Sequence, residues 1–254
     1  QYEFLQMIKT RRNKQWSCFS YNIIDSSTAC RNDCVYCYIK PMNVRFGRVQ
    51  DIEDLFRCDD RKVSKGWMKM SPDRQKHYMF PSSHDIFPEM VDRYIDVAQK
   101  MILAGHSILC VSKPRYECIE KICQGMSKFK DKFKFRFTIT TNDNELIRLW
   151  EPHAPLYEER LKCLEFAYHQ GYQTSVSMEP FLSDPSPVIK DCIPLANDSI
   201  WVGTMSDLMK MDMADDEIAR LQTLYSKAYL LPLVTAWHHP LVYWKTSVME
   251  ICAK

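Results

Sequence analysis

Apolar and polar positions along the chain follow two periods, which divide most of it into short strands and amphipathic helices. Residues 88–104 carry apolar side chains at helical spacing and end at Gly105, whereas residues 107–112 form a short apolar run typical of a buried strand. The same change of period recurs further along. It predicts strands at 17–24, 77–80, 107–112, 133–139, 173–178 and 199–202, and helices at 88–104, 115–126, 156–170, 187–192 and 214–229.

This alternation of strands and helices predicts an α/β fold with a parallel sheet, because parallel neighbours need crossover connections. Six strand–helix units are too few for a closed eight-stranded barrel, so we expect an open, partial (βα)6 barrel of the TIM type. The barrel is predicted over residues 1–229, with a polar, weakly periodic insertion near 41–75. Residues 230–254 are expected to be a C-terminal extension that packs on the barrel.

The composition is that of an ordinary soluble globular protein. The 254 residues are 46% hydrophobic and 26% charged, and the net charge of +2 neither favours nor excludes a nucleic-acid partner. No apolar run reaches the roughly 18 residues of a membrane span, and the first residues lack a signal-peptide pattern. Eleven cysteines in a chain of this size favour free thiols in a reducing compartment, so we expect a cytoplasmic protein without a membrane partner.

Three of the cysteines stand close together directly after the first predicted strand. Cys30, Cys34 and Cys37 have the spacing C-x3-C-x2-C. A structural zinc site usually takes four ligands from two C-x2-C pairs, and only one such pair is present, although zinc stays as the alternative. Three thiolates in one loop instead suit three irons of a [4Fe-4S] cluster. The fourth iron would then be open to chelate S-adenosylmethionine and pass an electron into its sulfonium.

The cysteine spacing, with aromatic Tyr36 just before the third cysteine, resembles the radical S-adenosylmethionine superfamily. The order of short motifs at residues 80–86, 111–113, 135–139 and 150–155 resembles the subgroup of spore photoproduct lyase, over roughly residues 17–205. The resemblance implies a partial barrel with the cluster loop after its first strand. It also implies an external electron donor such as flavodoxin or ferredoxin.

The same resemblance implies a pocket for S-adenosylmethionine at the strand ends. Asp85 would receive the ammonium group with its two preceding neighbours, Lys113 would pair with the carboxylate, and Thr138 would donate a hydrogen bond to it. A zwitterionic amino acid needs one anion and one cation on adjacent strand ends, which the residues also offer without the family. Tyr38 would lie against the cofactor. The full implied set is Tyr38, Ser83, His84, Asp85, Lys113 and Thr138.

One departure from the lyase pattern concerns the end of the reaction. The lyase has a cysteine just before its ammonium-binding segment that supplies a hydrogen atom, and this chain has Ser82 there. A serine O–H bond is too strong for that task, so a different outcome or another donor, such as Tyr36 or Cys110, is needed. Glu179 ends the fifth predicted strand and is expected at the barrel mouth, where it could bind ribose hydroxyls or a substrate amine.

These observations lead to three hypotheses of function. The first is a radical enzyme that cleaves S-adenosylmethionine to a 5′-deoxyadenosyl radical and acts on a nucleobase, nucleotide or nucleic acid. The second keeps that chemistry but moves it to a small molecule or peptide, because fold and cofactor do not fix the substrate. The third is a non-enzymatic iron–sulfur or zinc module that contacts nucleic acid.

Overall fold

A computed structural model describes residues 19–23, 30–39 and 76–253 of the chain. Within these residues, parallel strands form one open sheet in chain order. The predicted insertion near 41–75, and residues 17, 18 and 24 of the first predicted strand, lie outside the described residues. The strands are β1 (Phe19–Ser20), β2 (His77–Met79), β3 (Ser107–Ser112), β4 (Phe133–Thr138), β5 (Gln173–Met178), β6 (Ser199–Val202) and β7 (Val242–Trp244).

Helices connect these strands, so the predicted parallel α/β architecture with an open sheet is confirmed. Gly105 and Gly171 end two of the helices with positive φ angles of 93° and 80°, the left-handed conformation expected at a helix stop. The helices are α1 (Val91–Leu103), α2 (Tyr116–Gly125), α3 (Asn144–Trp150), α4 (Tyr157–His169), α5 (Ser186–Cys192), α6 (Asp215–Leu224), α7 (Lys227–Ala236) and α8 (Thr246–Ala253). None of the helices in the described part of the chain is long and apolar enough to cross a membrane.

The structure differs from the sequence prediction in several elements. Strand β7 lies in the predicted C-terminal extension and pairs in parallel with β6, which extends the sheet beyond the six predicted strands. The helix predicted at 214–229 is two helices, because Ser226 interrupts it and caps α7 by accepting a hydrogen bond from the Tyr229 amide. Helices α3 and α8 were not predicted, and α8 lies in the expected C-terminal extension.

The two faces of the sheet have different chemistry. Val176 and Ile200 are paired neighbours on the face that packs against the helices, and both are fully buried in the apolar core. On the opposite face, Arg136, Ser175 and Ser199 lie in one row across three strands, with hydrogen bonds from Arg136 to both serines. The interior of the open barrel is therefore polar and cationic at this level.

The parallel register brings the ends of the strands to one edge of the sheet. Lys113 directly follows β3, Thr138 is the last residue of β4, and Glu179 directly follows β5. Gly203 and Lys245 follow β6 and β7. This edge is where parallel α/β folds place their functional groups, because the loops that follow the strands all open there.

Candidate functional site

The cysteine loop lies beyond β1 at this edge and presents three free thiols. Cys34 is buried, with 5% of its surface exposed, while Cys30 and Cys37 are half-buried. The Cys37 amide donates to the Cys34 carbonyl at 3.2 Å, and Asp33 between the first two cysteines has a positive φ of 53°. The loop is therefore a tight turn that keeps the second and third cysteines close in space.

Asp85 connects the beginning of this loop to the end of β3 by hydrogen bonds. One of its oxygens accepts hydrogen bonds from the Asn32 side-chain amide at 2.5 Å and from the Cys30 thiol at 3.7 Å. The other accepts from the Lys113 backbone amide at 2.6 Å and from the Ser112 hydroxyl at 2.8 Å. The carboxylate that was predicted to receive an ammonium group thus also ties two strand ends to the cysteine loop.

The segment after α3 holds the rest of the loop by backbone contacts. The Val35 amide donates to the Trp150 carbonyl at 2.9 Å, and the His153 amide donates to the Asn32 carbonyl at 3.3 Å. Arg115 bridges the two segments, donating to the Asn32 side-chain oxygen and to the His153 carbonyl, each at 2.8 Å. The cysteine loop is therefore held from two sides.

A buried charge cluster lies under the loop. The Glu151 carboxylate is fully buried, accepts hydrogen bonds from Tyr36 and Arg160, and lies 4.0 Å from the Lys113 ammonium. Burial alone would raise the pKa of Glu151, but the charges of Arg160 and Lys113 outweigh it and hold that pKa below its usual range. Burial alone would lower the pKa of Lys113, and the acidic groups Cys34 and Glu151 instead raise it. Lys113 is thus a buried cation beside the cysteines.

Burial favours the protonated form of two of these thiols, Cys30 and Cys34. Burial raises the pKa of Cys34 to about 11, against the opposing influence of the Lys113 charge. Burial, followed by the negative charge of Asp85, also raises the pKa of Cys30. Thiols of this kind bind a metal only as thiolates, so cluster assembly must release their protons.

The donor set of the loop fits an iron–sulfur cluster with an open iron. Its three thiols are free and adjacent to a buried cation that can offset the negative charge of a thiolate-bound cluster. In the described residues, no three His, Cys, Asp or Glu side chains already converge closely enough to hold a metal ion. The assignment of Cys30, Cys34 and Cys37 therefore rests on the chemistry of the loop.

The other residues of the predicted cofactor pocket lie around the loop. His84 is buried, and its ring Nε2 has no hydrogen-bond partner among the described residues, while Nδ1 contacts the Asp85 carbonyl at 2.9 Å. Such an orphaned buried atom fits a site completed by a ligand. Ser83 donates its amide to Asn22 at 2.9 Å, and Tyr38 is 64% exposed beside the Ser82 carbonyl. Thr138 is half-buried, and its carbonyl accepts from Arg160 at 3.3 Å.

Glu179 lies at the same edge but on the other half of the sheet. Its carboxylate forms an ion pair with Lys245, which follows β7 and has only 3% of its side chain exposed. Gly203 after β6 leaves room for this pair, since an added Cβ would meet Lys245 Cδ at 2.7 Å and Glu179 Oε1 at 3.1 Å. The prediction of Glu179 at the barrel mouth did not include its partner, because Lys245 belongs to the extension that was not assigned to the barrel.

Substitution of Gly203→Ala is expected to disrupt the Glu179–Lys245 pair and to destabilise the fold by about 1–3 kcal/mol, because the new methyl group must displace a buried side chain. Urea unfolding measures this loss. In a chain that also carries Lys245→Ala, the same substitution should cost less, because the Cδ atom that it meets is gone. An equal cost in both backgrounds would contradict this packing.

Comparison with known proteins places this site in a recognised fold. No protein-family model matches the sequence. An uncharacterized protein of the Acidianus two-tailed virus, ORF301, is 24% identical over 178 residues, which cover 66% of this chain and 58% of that protein. SuiB of Streptococcus suis bound to S-adenosylmethionine matches 96% of this chain and 55% of its own length, with 14% identity and a TM-score of 0.56.

Two further solved structures superpose on this chain. SuiB bound to its precursor peptide SuiA superposes with a TM-score of 0.58 and 13% identity, over 96% of this chain and 54% of SuiB. Spore photoproduct lyase complexed with dinucleoside spore photoproduct superposes with a TM-score of 0.51 and 14% identity, over 87% of this chain and 78% of the lyase. The chain therefore shares its fold with SuiB and spore photoproduct lyase, an open parallel α/β sheet. It spans somewhat more than half the length of ORF301 and of SuiB.

Proposed function

We propose that this protein is a radical S-adenosylmethionine enzyme. The observation that carries the proposal is the loop of three free thiols, held at the edge of the sheet where Asp85 and Lys113 meet. The three thiols would hold a [4Fe-4S] cluster, which would supply the electron for reductive cleavage of S-adenosylmethionine to a 5′-deoxyadenosyl radical, with an external flavodoxin or ferredoxin as the proposed source of that electron.

The chain's own residues would bind and orient the cofactor. Lys113 lies at ion-pair distance rather than hydrogen-bond distance from Glu151, so its ammonium N–H groups can turn to a cofactor carboxylate. Asp85 and His84 Nε2, which has no hydrogen-bond partner in the described part of the chain, are acceptors for the cofactor ammonium, with Ser83 beside them. Thr138 and the exposed ring of Tyr38 complete the proposed pocket. A non-enzymatic module would have no use for this set of charges.

The first test is anaerobic reconstitution with iron and sulfide. We expect about four irons per chain and, after reduction, an EPR signal of a [4Fe-4S] cluster that changes when S-adenosylmethionine is added, since the cofactor binds the open iron. Zinc bound with no EPR signal would support the alternative metal site. A cluster signal that S-adenosylmethionine does not alter would contradict the enzyme proposal.

For the substrate, we propose a nucleobase, nucleotide or nucleic acid, supported by the match to a lyase that holds a dinucleoside photoproduct. SuiB with its bound precursor peptide supports a peptide as the alternative. The mouth near Glu179 and Lys245 offers an acceptor and a donor side by side for either class. Both assignments come from proteins of the same fold with different substrates, so a direct binding test decides between them.

Fluorescence anisotropy with labelled single- and double-stranded DNA tests the nucleic-acid assignment. We expect binding at about 50 mM salt that weakens severalfold at about 200 mM, because phosphate contacts release counterions. Charge-matched unstructured peptides are the control. Equal or tighter binding of the peptides would favour the second hypothesis, in which the substrate is a small molecule or peptide.

The hydrogen donor at the end of the reaction differs from the lyase pattern. Ser82, which stands at the position of the lyase cysteine, accepts a hydrogen bond from the Asn22 side chain at 2.9 Å and offers no weak bond to hydrogen. Tyr36 stays the candidate donor within the cysteine loop, although its hydroxyl hydrogen is engaged by Glu151. We therefore propose that the reaction ends differently from repair of a thymine photoproduct.

A further inference from the structure

Glu151 has a rigid place between α3 and the cysteine loop. Its amide continues the helix by donating to the Ile147 carbonyl at 2.7 Å, and its carbonyl accepts from the Ala154 amide at 2.9 Å. The preceding residue, Trp150, is fully buried and donates its indole N–H to Glu217 at 2.6 Å. The backbone that carries the Glu151 carboxylate is therefore fixed on both sides.

The two oxygens of Glu151 serve different partners. Oε2 accepts a hydrogen bond from Arg160, which is also buried and donates to the Pro155 carbonyl at 2.6 Å. Oε1 accepts from the Tyr36 hydroxyl and faces the Lys113 ammonium at 4.0 Å. Arg160 thus anchors one side of the carboxylate, and the other side is shared between the cysteine loop and the end of β3.

Tyr36 and Lys113 are themselves in contact. The Lys113 ammonium lies 5.5 Å from the centre of the Tyr36 ring, within the range of a cation–π interaction. Tyr36 directly precedes Cys37, and Lys113 is the candidate partner of the cofactor carboxylate. A single buried oxygen atom therefore contacts a neighbour of the cluster and a group that would hold the cofactor.

We propose that Glu151 is a positioning residue that sets the cysteine loop, through Tyr36, and the Lys113 ammonium in their places relative to each other. This inference rests on the proposed radical S-adenosylmethionine function and adds to it a residue that touches neither cluster nor cofactor. Partners outside the first shell of a metal site commonly change metal affinity by about 10- to 100-fold when they are lost. Glu151 would act in this way through Tyr36, which is not itself a proposed metal ligand and directly precedes the proposed ligand Cys37.

A purely structural role is the competing explanation, because Glu151 and Arg160 form a buried ion pair that any fold would keep satisfied. Glu217 offers a matched control for that role. Its carboxylate accepts from the Trp150 indole and from Arg220 on the same part of the molecule. If Glu151 had only a structural role, Glu151→Gln and Glu217→Gln would both lower the stability of the fold and leave the iron-loaded protein otherwise unchanged.

The experiment compares Tyr36→Phe, Glu151→Gln, their double variant and Glu217→Gln after reconstitution. Three quantities are measured on folded, iron-loaded protein: the rate of iron loss to a chelator, the EPR spectrum of the reduced cluster with and without S-adenosylmethionine, and the affinity for S-adenosylmethionine. Thermal unfolding is followed separately. Because the three quantities refer to iron-loaded protein alone, they distinguish a positioning role of Glu151 from a general loss of stability.

We expect Tyr36→Phe and Glu151→Gln each to speed iron loss by about tenfold and to weaken S-adenosylmethionine binding by about tenfold. The double variant should be no worse than the worse single variant, because both substitutions break the same link. Glu217→Gln should lower the unfolding temperature while its loaded fraction keeps the EPR spectrum and the iron-loss rate of the unsubstituted protein.

Additive effects in the double variant, or a Tyr36→Phe variant with unchanged iron loss and spectrum, would overturn the inference. If Glu151→Gln fails to fold, the Tyr36→Phe result decides alone, since that change removes only one hydroxyl group. Failure of the proposed function would appear differently, in the unsubstituted protein, as a cluster that does not respond to S-adenosylmethionine. In that case, the iron-loss rates and the EPR spectra recorded without S-adenosylmethionine would still test whether Glu151 positions the cysteine loop.

Discussion

Substitution of Cys34→Ala is expected to abolish both the iron–sulfur cluster and the cleavage of S-adenosylmethionine. Cys34 is the most buried of the three loop thiols and lies next to the Lys113 charge, so we expect that water does not replace it as an iron ligand. Two remaining thiolates leave the cluster one ligand short. Iron and sulfide per chain, with the absorbance and EPR spectra of the reconstituted protein, measure the effect.

Cys192→Ala is the matched control for this substitution. Cys192 is a fully buried, free thiol on α5, outside the cysteine loop. Its loss should lower stability by about 1 kcal/mol through a small cavity and leave the iron content unchanged. A Cys34→Ala protein that still binds about four irons would contradict the ligand assignment, and equal iron loss in the Cys192→Ala protein would show that the effect is not specific to the loop.

Lys113→Met is expected to give the second-largest effect, a loss of S-adenosylmethionine affinity of about 100-fold. Removing one partner of a buried, hydrogen-bonded charge pair costs about 2–5 kcal/mol, and each 1.4 kcal/mol is about tenfold in affinity. Lys113 has 12% of its side chain exposed and carries a raised pKa, so it is charged at neutral pH and shielded from water. Equilibrium binding of S-adenosylmethionine to iron-loaded protein measures the loss.

Lys121→Met controls for the removal of a lysine. Lys121 lies on α2 and makes a surface contact with Asp92 at 3.5 Å, with half of its side chain exposed. We expect its loss to leave the affinity unchanged. An affinity in the Lys113→Met protein equal to that of the Lys121→Met protein would refute the carboxylate-binding role, and an unchanged iron content in both would show that the cluster is independent of it.

The fold could be predicted from the sequence wherever an element was long enough to show a period. The helix that ends before Gly105 and the strand that follows it are present within three residues of their predicted bounds. Strand β7 was not predicted, because its three residues, Val-Tyr-Trp, lie in an aromatic-rich tail that shows neither period clearly. It was therefore grouped with the C-terminal extension, although it pairs with β6 in the sheet.

The reactive residues of the site were predicted from the sequence, whereas the buried residues that hold them in place were not. Three closely spaced cysteines and the charged residues at strand ends can be recognised from the sequence without a structure. The contact of Tyr36 with Glu151 joins residues 115 positions apart, and a buried glutamate looks the same in a sequence as a solvated one. The order Trp150-Glu151-Pro152-His153 was noticed only as part of a resemblance, and the pairing of Glu179 with Lys245 had no local signal.

The central claim is that the chain cleaves S-adenosylmethionine by one-electron reduction. The most direct measurement is the formation of 5′-deoxyadenosine by the anaerobically reconstituted, reduced protein, quantified against the Cys34→Ala variant under the same reductant. We predict 5′-deoxyadenosine in amounts that depend on the cluster and are absent from the variant. A fully loaded, reduced protein that binds S-adenosylmethionine and forms no 5′-deoxyadenosine, beside a known radical enzyme that does so with the same reductant, would contradict the claim.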